Sequence, residues 1–168
     1  DGKYYFGSGD SSDVALLKSD GDFPTVKIGA VSAIEKGSGL TAIGYPAFVD
    51  GGLQTKTAKT KPTVTQGNVI TIQEESPGKG RILIVTTVPI AQGNSGGPAF
   101  DKDGKQIGLN TYGKIACADA QCFGAGTARD VADFTALVSR QNIKLNDTSD
   151  ISNLWDQGLD DYLKGNYK

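Results

Sequence analysis

The 168-residue sequence predicts an all-β fold, a small closed β-barrel with helices at its C-terminal end. The composition, with 23 glycines and many valines, isoleucines and threonines, suits short strands joined by tight turns. Seven apolar, β-branched segments bounded by turn residues cover 14–17, 40–45, 65–73, 81–87, 97–101, 106–112 and 123–127. The last six are the right number for a small barrel. Helical spacing appears only after them.

Taken in order, the segment at 14–17 stands apart from the six. Residues 47–61 are polar, with Gly51-Gly52 and three lysines among threonines, and read as a long solvated loop. Asp101-Lys102-Asp103-Gly104-Lys105 reads as a hairpin turn, with Gly104 free to take a positive φ. Residues 129–140 are helical in pattern, because Val131, Phe134, Leu137 and Val138 form one apolar stripe. Residues 141–150 are a polar linker. Residues 151–168 carry a second helix with Leu154, Trp155, Leu159, Tyr162 and Leu163 on a face, ended by Gly165-Asn166.

Net charge is −2, from 17 basic and 19 acidic residues, so no basic face for nucleic acid is expected. No apolar run approaches the roughly 18 residues of a membrane span. The chain starts at Asp1 without a signal-like segment and ends within what reads as an element, so it is expected to be a fragment of a longer protein. Cys117 and Cys122 are the two cysteines and fall in what reads as an Ala/Asp/Gln turn. Two thiols without histidine do not complete a zinc site. They are either a disulfide pinning a surface loop, which implies an oxidising compartment, or two free thiols. No cofactor or metal is expected.

The run Gly93-Asn94-Ser95-Gly96-Gly97-Pro98 carries the chemistry. A serine between glycines can present its hydroxyl on a tight turn. The N–H groups of Gly93 and Ser95 can there converge on a developing oxyanion. A serine nucleophile also needs a base, usually histidine, and the chain has none.

Five ordered blocks resemble the chymotrypsin-like serine peptidases, and among them the bacterial HtrA/Deg-type branch. They are Ser12-Asp13-Val14-Ala15-Leu16-Leu17-Lys18, Leu40-Thr41-Ala42-Ile43-Gly44-Tyr45-Pro46, Thr63-Val64-Thr65-Gln66-Gly67-Asn68-Val69-Ile70, the Ser95 run, and Gly104-Lys105-Gln106-Ile107-Gly108-Leu109-Asn110-Thr111. The last strand and helix, 123–127 and 129–140, extend the likeness to residue 140. The resemblance implies a trypsin-like double β-barrel with the second barrel complete and the first truncated, residues 1–140 forming the peptidase domain. It implies Ser95 as nucleophile, Gly93 and Ser95 as oxyanion donors and Asp13 as the carboxylate that orients the imidazole. The triad histidine would precede Asp13 by some tens of residues and so lie outside the chain, leaving the fragment inactive. The residue six before the nucleophile, Pro89, would stand at the base of the S1 pocket, which disfavours a basic P1 residue. Asn110, Thr111 and Tyr112 would line the pocket and pair with an extended substrate.

The implied parent is an extracytoplasmic serine endopeptidase acting on polypeptides: periplasmic, cell-surface or secreted, and anchored, if at all, by a segment outside this chain. The exposed half-site leaves room for oligomerisation. At the C-terminal end, Trp155-Asp156-Gln157-Gly158-Leu159-Asp160-Asp161-Tyr162 resembles the first helix of a tetratricopeptide repeat with Leu and Gly exchanged. Such a helix would recruit a protein partner, and the equal alternative is a helix packed on the barrel. Two rivals to the enzyme remain: a protease-like binding module without catalysis, and a structural domain whose function lies in the C-terminal helices.

Overall fold

The computed structural model describes residues 3–6, 13–18, 23–46, 62–118, 121–145 and 157, with backbone alone for 3–6, 112–118 and 121–125. Strands β1 (Lys3–Phe6) and β2 (Ala15–Lys18) pair antiparallel as a two-stranded sheet of their own. Six further strands follow: β3 (Gly39–Gly44), β4 (Thr63–Glu74), β5 (Ile82–Thr86), β6 (Pro98–Phe100), β7 (Gln106–Ala118) and β8 (Gln121–Asp130). They close in the order β3-β4-β5-β8-β7-β6, with β6 returning to pair with β3. The all-β architecture with one complete barrel is therefore present, and each of its six strands overlaps a segment expected from sequence.

Alternation builds the barrel core. Leu40 and Ala42 on β3 point inward, two residues apart as strand geometry requires. They meet Val69, Ile84, Val88, Ala99, Ile107 and Ala128. Ile84 and Ile107 are fully buried, and each such side chain contributes about 1.5–3 kcal/mol of transfer free energy. Pro98 opens β6, a position where a strand tolerates the missing N–H. The turn from Asp101 to Lys105 forms as expected. Gly104 has φ 72°, and Asp101 Oδ1 accepts from the N–H groups of Asp103 and Lys105 at 2.9 Å each.

Helix α1 (Ala132–Arg140) closes the described region. Its buried Leu137 and Val138 pack against Val14 and Leu16 around β2, joined by Leu109, Phe134 and Ile143. This second cluster fixes the β2 segment, and with it Asp13, to the barrel's terminal helix. Among the described residues no helix is long and apolar enough to cross a membrane.

Three sequence expectations are adjusted. The helix begins at Ala132, three residues late, because Arg129 and Asp130 belong to β8 and Asp130 Oδ1 accepts the Ala132 N–H at 2.9 Å. β1, a short aromatic run between Gly2 and Gly7, and the short 3-10 helix Val31–Ala33 are absent from the sequence expectation. Cys117 and Cys122 lie in strands rather than in a loop, since β7 runs to Ala118 and β8 starts at Gln121. The expected loop at 47–61 lies outside the described residues. So does the expected second helix, apart from Gln157, which is helical and exposed.

Candidate active site

The Ser95 turn sits between β5 and β6 and is tied to β7 by backbone bonds. Asn94 N–H donates to the Ala91 carbonyl at 3.0 Å, and Gly97 N–H to the Asn94 carbonyl at 2.9 Å. Gly96 N–H reaches the Asn110 carbonyl at 2.8 Å, and Asn110 N–H returns to the Gly97 carbonyl at 2.8 Å. Two residues take left-handed backbone, Gly93 at φ 100° and Gly96 at φ 80°, which side chains other than glycine adopt poorly. The glycines thus shape the turn on both sides of Ser95.

Ser95 is exposed, and its Oγ donates to the Thr111 carbonyl at 3.1 Å. The N–H groups of Gly93 and Ser95 find no backbone acceptor among the described residues and are left for solvent or a bound oxygen. Asn110 is buried on β7, and its Nδ2 donates to the Pro98 carbonyl at 3.1 Å, bracing the turn's exit. Thr111 is half-buried, and Tyr112 pairs with Thr127 along β8. The structure therefore brings Ser95, Gly93, Asn110 and Thr111 into one cluster.

Pro89 is exposed, and its carbonyl accepts from Thr65 Oγ1 at 3.1 Å. Its neighbour Ile90 turns inward, where a Cβ on Gly126 would lie 2.8 Å from the Ile90 side chain. Sequence reasoning missed Ile90, Gly126 and Asn94. The motif did contain Asn94, but nothing in it marks the side chain as buried, at 2 % exposed.

Asp13 is exposed with a left-handed φ of 48°, which an aspartate tolerates, and no hydrogen bond links it to Ser95. Its charge reaches Arg129, whose guanidinium is almost fully buried. Arg129 donates to both Glu75 carboxylate oxygens, Nη1 at 3.1 Å and Nη2 at 2.9 Å. The bond to Glu75 raises the Arg129 pKa against the cost of burial, and the charges of Glu75, Asp133 and Asp13 add to it. The same bond holds the Glu75 carboxyl below its ordinary value, with further help from Arg81 at 3.2 Å. Burial raises the Asp133 carboxyl, and the Arg129 guanidinium 3.6 Å away only partly offsets it. Among the described residues no group of three His, Cys, Asp or Glu side chains is placed to hold a metal.

Cys117 and Cys122 stand directly opposite each other in the β7–β8 register, near the end of that hairpin.

Comparison with known proteins places this geometry. The family model for the trypsin-like peptidase domain matches residues 5–109. The "Probable periplasmic serine endoprotease DegP-like" of Pseudomonas fluorescens is 40% identical over 107 residues, 62% of this chain and 20% of that protein. Its namesake from Pseudomonas fulva is 37% identical over the same length, again 62% of this chain and 20% of that protein. The chain thus spans about a fifth of the length of these curated relatives. Among solved structures, "HtrA-type protease AlgW with decapeptide" superposes with TM-score 0.60 at 28% identity, covering 79% of this chain and 38% of that one. With a closed six-stranded barrel, a glycine-shaped serine turn and a family match over most of its length, the chain belongs to the trypsin-like peptidase domain family.

Proposed function

We propose that this chain carries the Ser95 half of a serine endopeptidase site acting on extracytoplasmic polypeptides. The observation that carries the reading is the turn itself. Left-handed Gly93 and Gly96 present an exposed Ser95 hydroxyl beside β7 and leave the Gly93 and Ser95 N–H groups without backbone acceptors among the described residues. Ser95 Oγ attacks the scissile carbonyl as the imidazole takes its proton, and those two N–H groups stabilise the oxyanion. The imidazolium returns the proton to the amine that departs as the C–N bond breaks, and water then hydrolyses the acyl-enzyme. Asp13 accepts the Nδ1–H of the imidazole and stabilises the imidazolium. With no histidine in the chain, that imidazole comes from outside these 168 residues.

The substrate lies as an extended strand along Asn110, Thr111 and Tyr112. Uncharged Pro89 and inward-facing Ile90 favour an apolar P1 residue. The extracytoplasmic location draws support from the periplasmic relatives and from the reading of Cys117 and Cys122 as a disulfide.

One observation favours a second reading, a protease-like binding module. The Ser95 hydroxyl already has an acceptor within this chain, the Thr111 carbonyl at 3.1 Å. Fluorophosphonate labelling of the full-length gene product separates the two, with Ser95→Ala as control. The peptidase reading expects labelling that the substitution abolishes, and expects none of comparable rate on the 168-residue chain alone. A folded full-length protein that does not label would leave the binding module.

A further inference from the structure

Gly44 ends β3 without a left-handed backbone, so its conformation does not demand a glycine. Its surroundings do. A Cβ at this position would lie 2.7 Å from Asn94 Oδ1, 3.2 Å from Asn94 Cγ and 3.4 Å from Asn94 Cα. The first distance is closer than real Cβ atoms approach. Asn94 is buried, its Oδ1 has no hydrogen-bond partner among the described residues, and that end of the side chain packs against β3 at Gly44. A second contact lies one residue away. A Cβ on Gly97 would stand 2.9 Å from the Ile43 carbonyl. The end of β3 and the serine turn therefore interlock at two points.

We infer that Gly44 is a positioning residue for the Ser95 turn, acting through Asn94. The inference rests, for its catalytic consequence, on the reading of Ser95 as nucleophile. Asn94 lies between Gly93 and Ser95, and its own N–H and carbonyl are bonded to Ala91 and Gly97. A methyl group at Gly44 has to push Asn94 outward, and the tied backbone carries that shift into both proposed oxyanion donors. A displacement of about 1 Å at a reacting group costs on the order of 100-fold in rate. Gly39, on the same strand, has nothing within 4 Å of its would-be Cβ and supplies the control.

The test compares Gly44→Ala, Gly39→Ala and the double variant Gly44→Ala/Asn94→Ser by amide hydrogen exchange on the 168-residue chain. Exchange at the Gly96 and Gly97 amides is expected to rise on the order of 10-fold or more in Gly44→Ala. It should stay unchanged in Gly39→Ala and return most of the way in the double variant, where the shorter serine makes room. The rate of Ser95 labelling in the full-length protein should follow the same order. Unchanged exchange in Gly44→Ala overturns the inference. So does global unfolding that Asn94→Ser fails to relieve, because the glycine then serves the barrel rather than the turn. Exchange that follows the expected pattern while the wild-type full-length protein does not label supports the coupling and overturns the peptidase reading instead.

Discussion

Ser95 Oγ donates to the carbonyl of Thr111 at 3.1 Å, and Thr111 is the residue that the β7–β8 ladder skips. Asn110 pairs with Ala128 and Tyr112 with Thr127, so two steps on β7 answer one on β8. Such a bulge frees a residue from its partner strand and re-aims its backbone. Here it sets Thr111 against the serine turn, while Asn110 remains in the ladder and holds Gly96 and Gly97. The serine turn and the strand proposed to bind substrate are thus joined through main-chain groups of β7.

It follows that the Thr111 side chain matters less than the extra residue it represents. Thr111→Ala is expected to change the rate of Ser95 labelling in the full-length protein by less than about threefold, since the carbonyl stays in place. Deleting Thr111 restores one-to-one pairing, keeps the register beyond it and removes the carbonyl that the Ser95 hydroxyl reaches, which should cost on the order of 100-fold or more. Labelling rates alongside thermal melts check this. Equal losses in both variants would show that the hydroxyl or methyl group, not the bulge, does the work.

The Arg129–Glu75 pair should contribute measurably to stability. Arg129 is buried and bidentate, so Glu75→Gln leaves its charge poorly compensated. Glu75 keeps about a quarter of its side chain in water, at 27% exposed, which puts the loss below the range for a fully buried pair. A destabilisation of about 1–2 kcal/mol is expected, or roughly 2–8 °C in Tm for a chain of this size. Urea unfolding at pH 7 measures it, and an unchanged midpoint would mean that Arg81 and Asp133 hold the guanidinium unaided.

The same pair predicts an acid limb. The folded pKa of Glu75 is lowered from its ordinary 4.5, chiefly by the bond from Arg129. Stability from this group is present above the unfolded value and is lost as pH falls through the folded one. The gap between wild type and Glu75→Gln should therefore be full at pH 7 and shrink below about pH 4.5. Asp133 works in the opposite sense. Burial raises its pKa, so the native state holds its proton more tightly and gains relative stability as pH falls toward the unfolded value. Asp133→Asn should remove that gain and steepen the acid loss. Unfolding midpoints from pH 7 to pH 3 test both signs.

What could be read from the sequence follows from locality. The Ser95 turn was legible because its glycines are contiguous with the serine they shape, and the six barrel strands because each alternates or clusters on its own. The turn at Gly104 was legible for the same reason. The role of Gly44 was not, since the group it accommodates, Asn94, lies fifty positions away and only the closed barrel brings them together. The bulge at Thr111 was hidden because Asn110-Thr111-Tyr112 reads as uninterrupted strand. Arg129 opens the range that reads as helical in sequence, yet its pairing with Leu109 and Leu83 keeps it in β8 and its guanidinium is held by Glu75. Ala, Asp and Gln around the cysteines suggested a turn, whereas pairing along β7 and β8 runs through both cysteines.

That pairing sets the last prediction. Directly opposed residues on antiparallel strands have Cα atoms roughly 4.5–5.5 Å apart, inside the range a disulfide spans. Cys117 and Cys122 occupy such a position, so the purified chain is expected to resist iodoacetamide until reduced and then to take up two adducts. The effect on global stability should be small. The bridge closes a loop of only six residues, which limits its entropic contribution to about 2 kcal/mol. The hairpin's own pairing has already restricted much of that freedom. Reduction, or the double substitution of both cysteines by serine, should therefore raise exchange at the β7–β8 tip more than it lowers the unfolding midpoint. Alkylation of both thiols in the native chain without reductant would establish the free-thiol alternative and remove this support for an oxidising compartment.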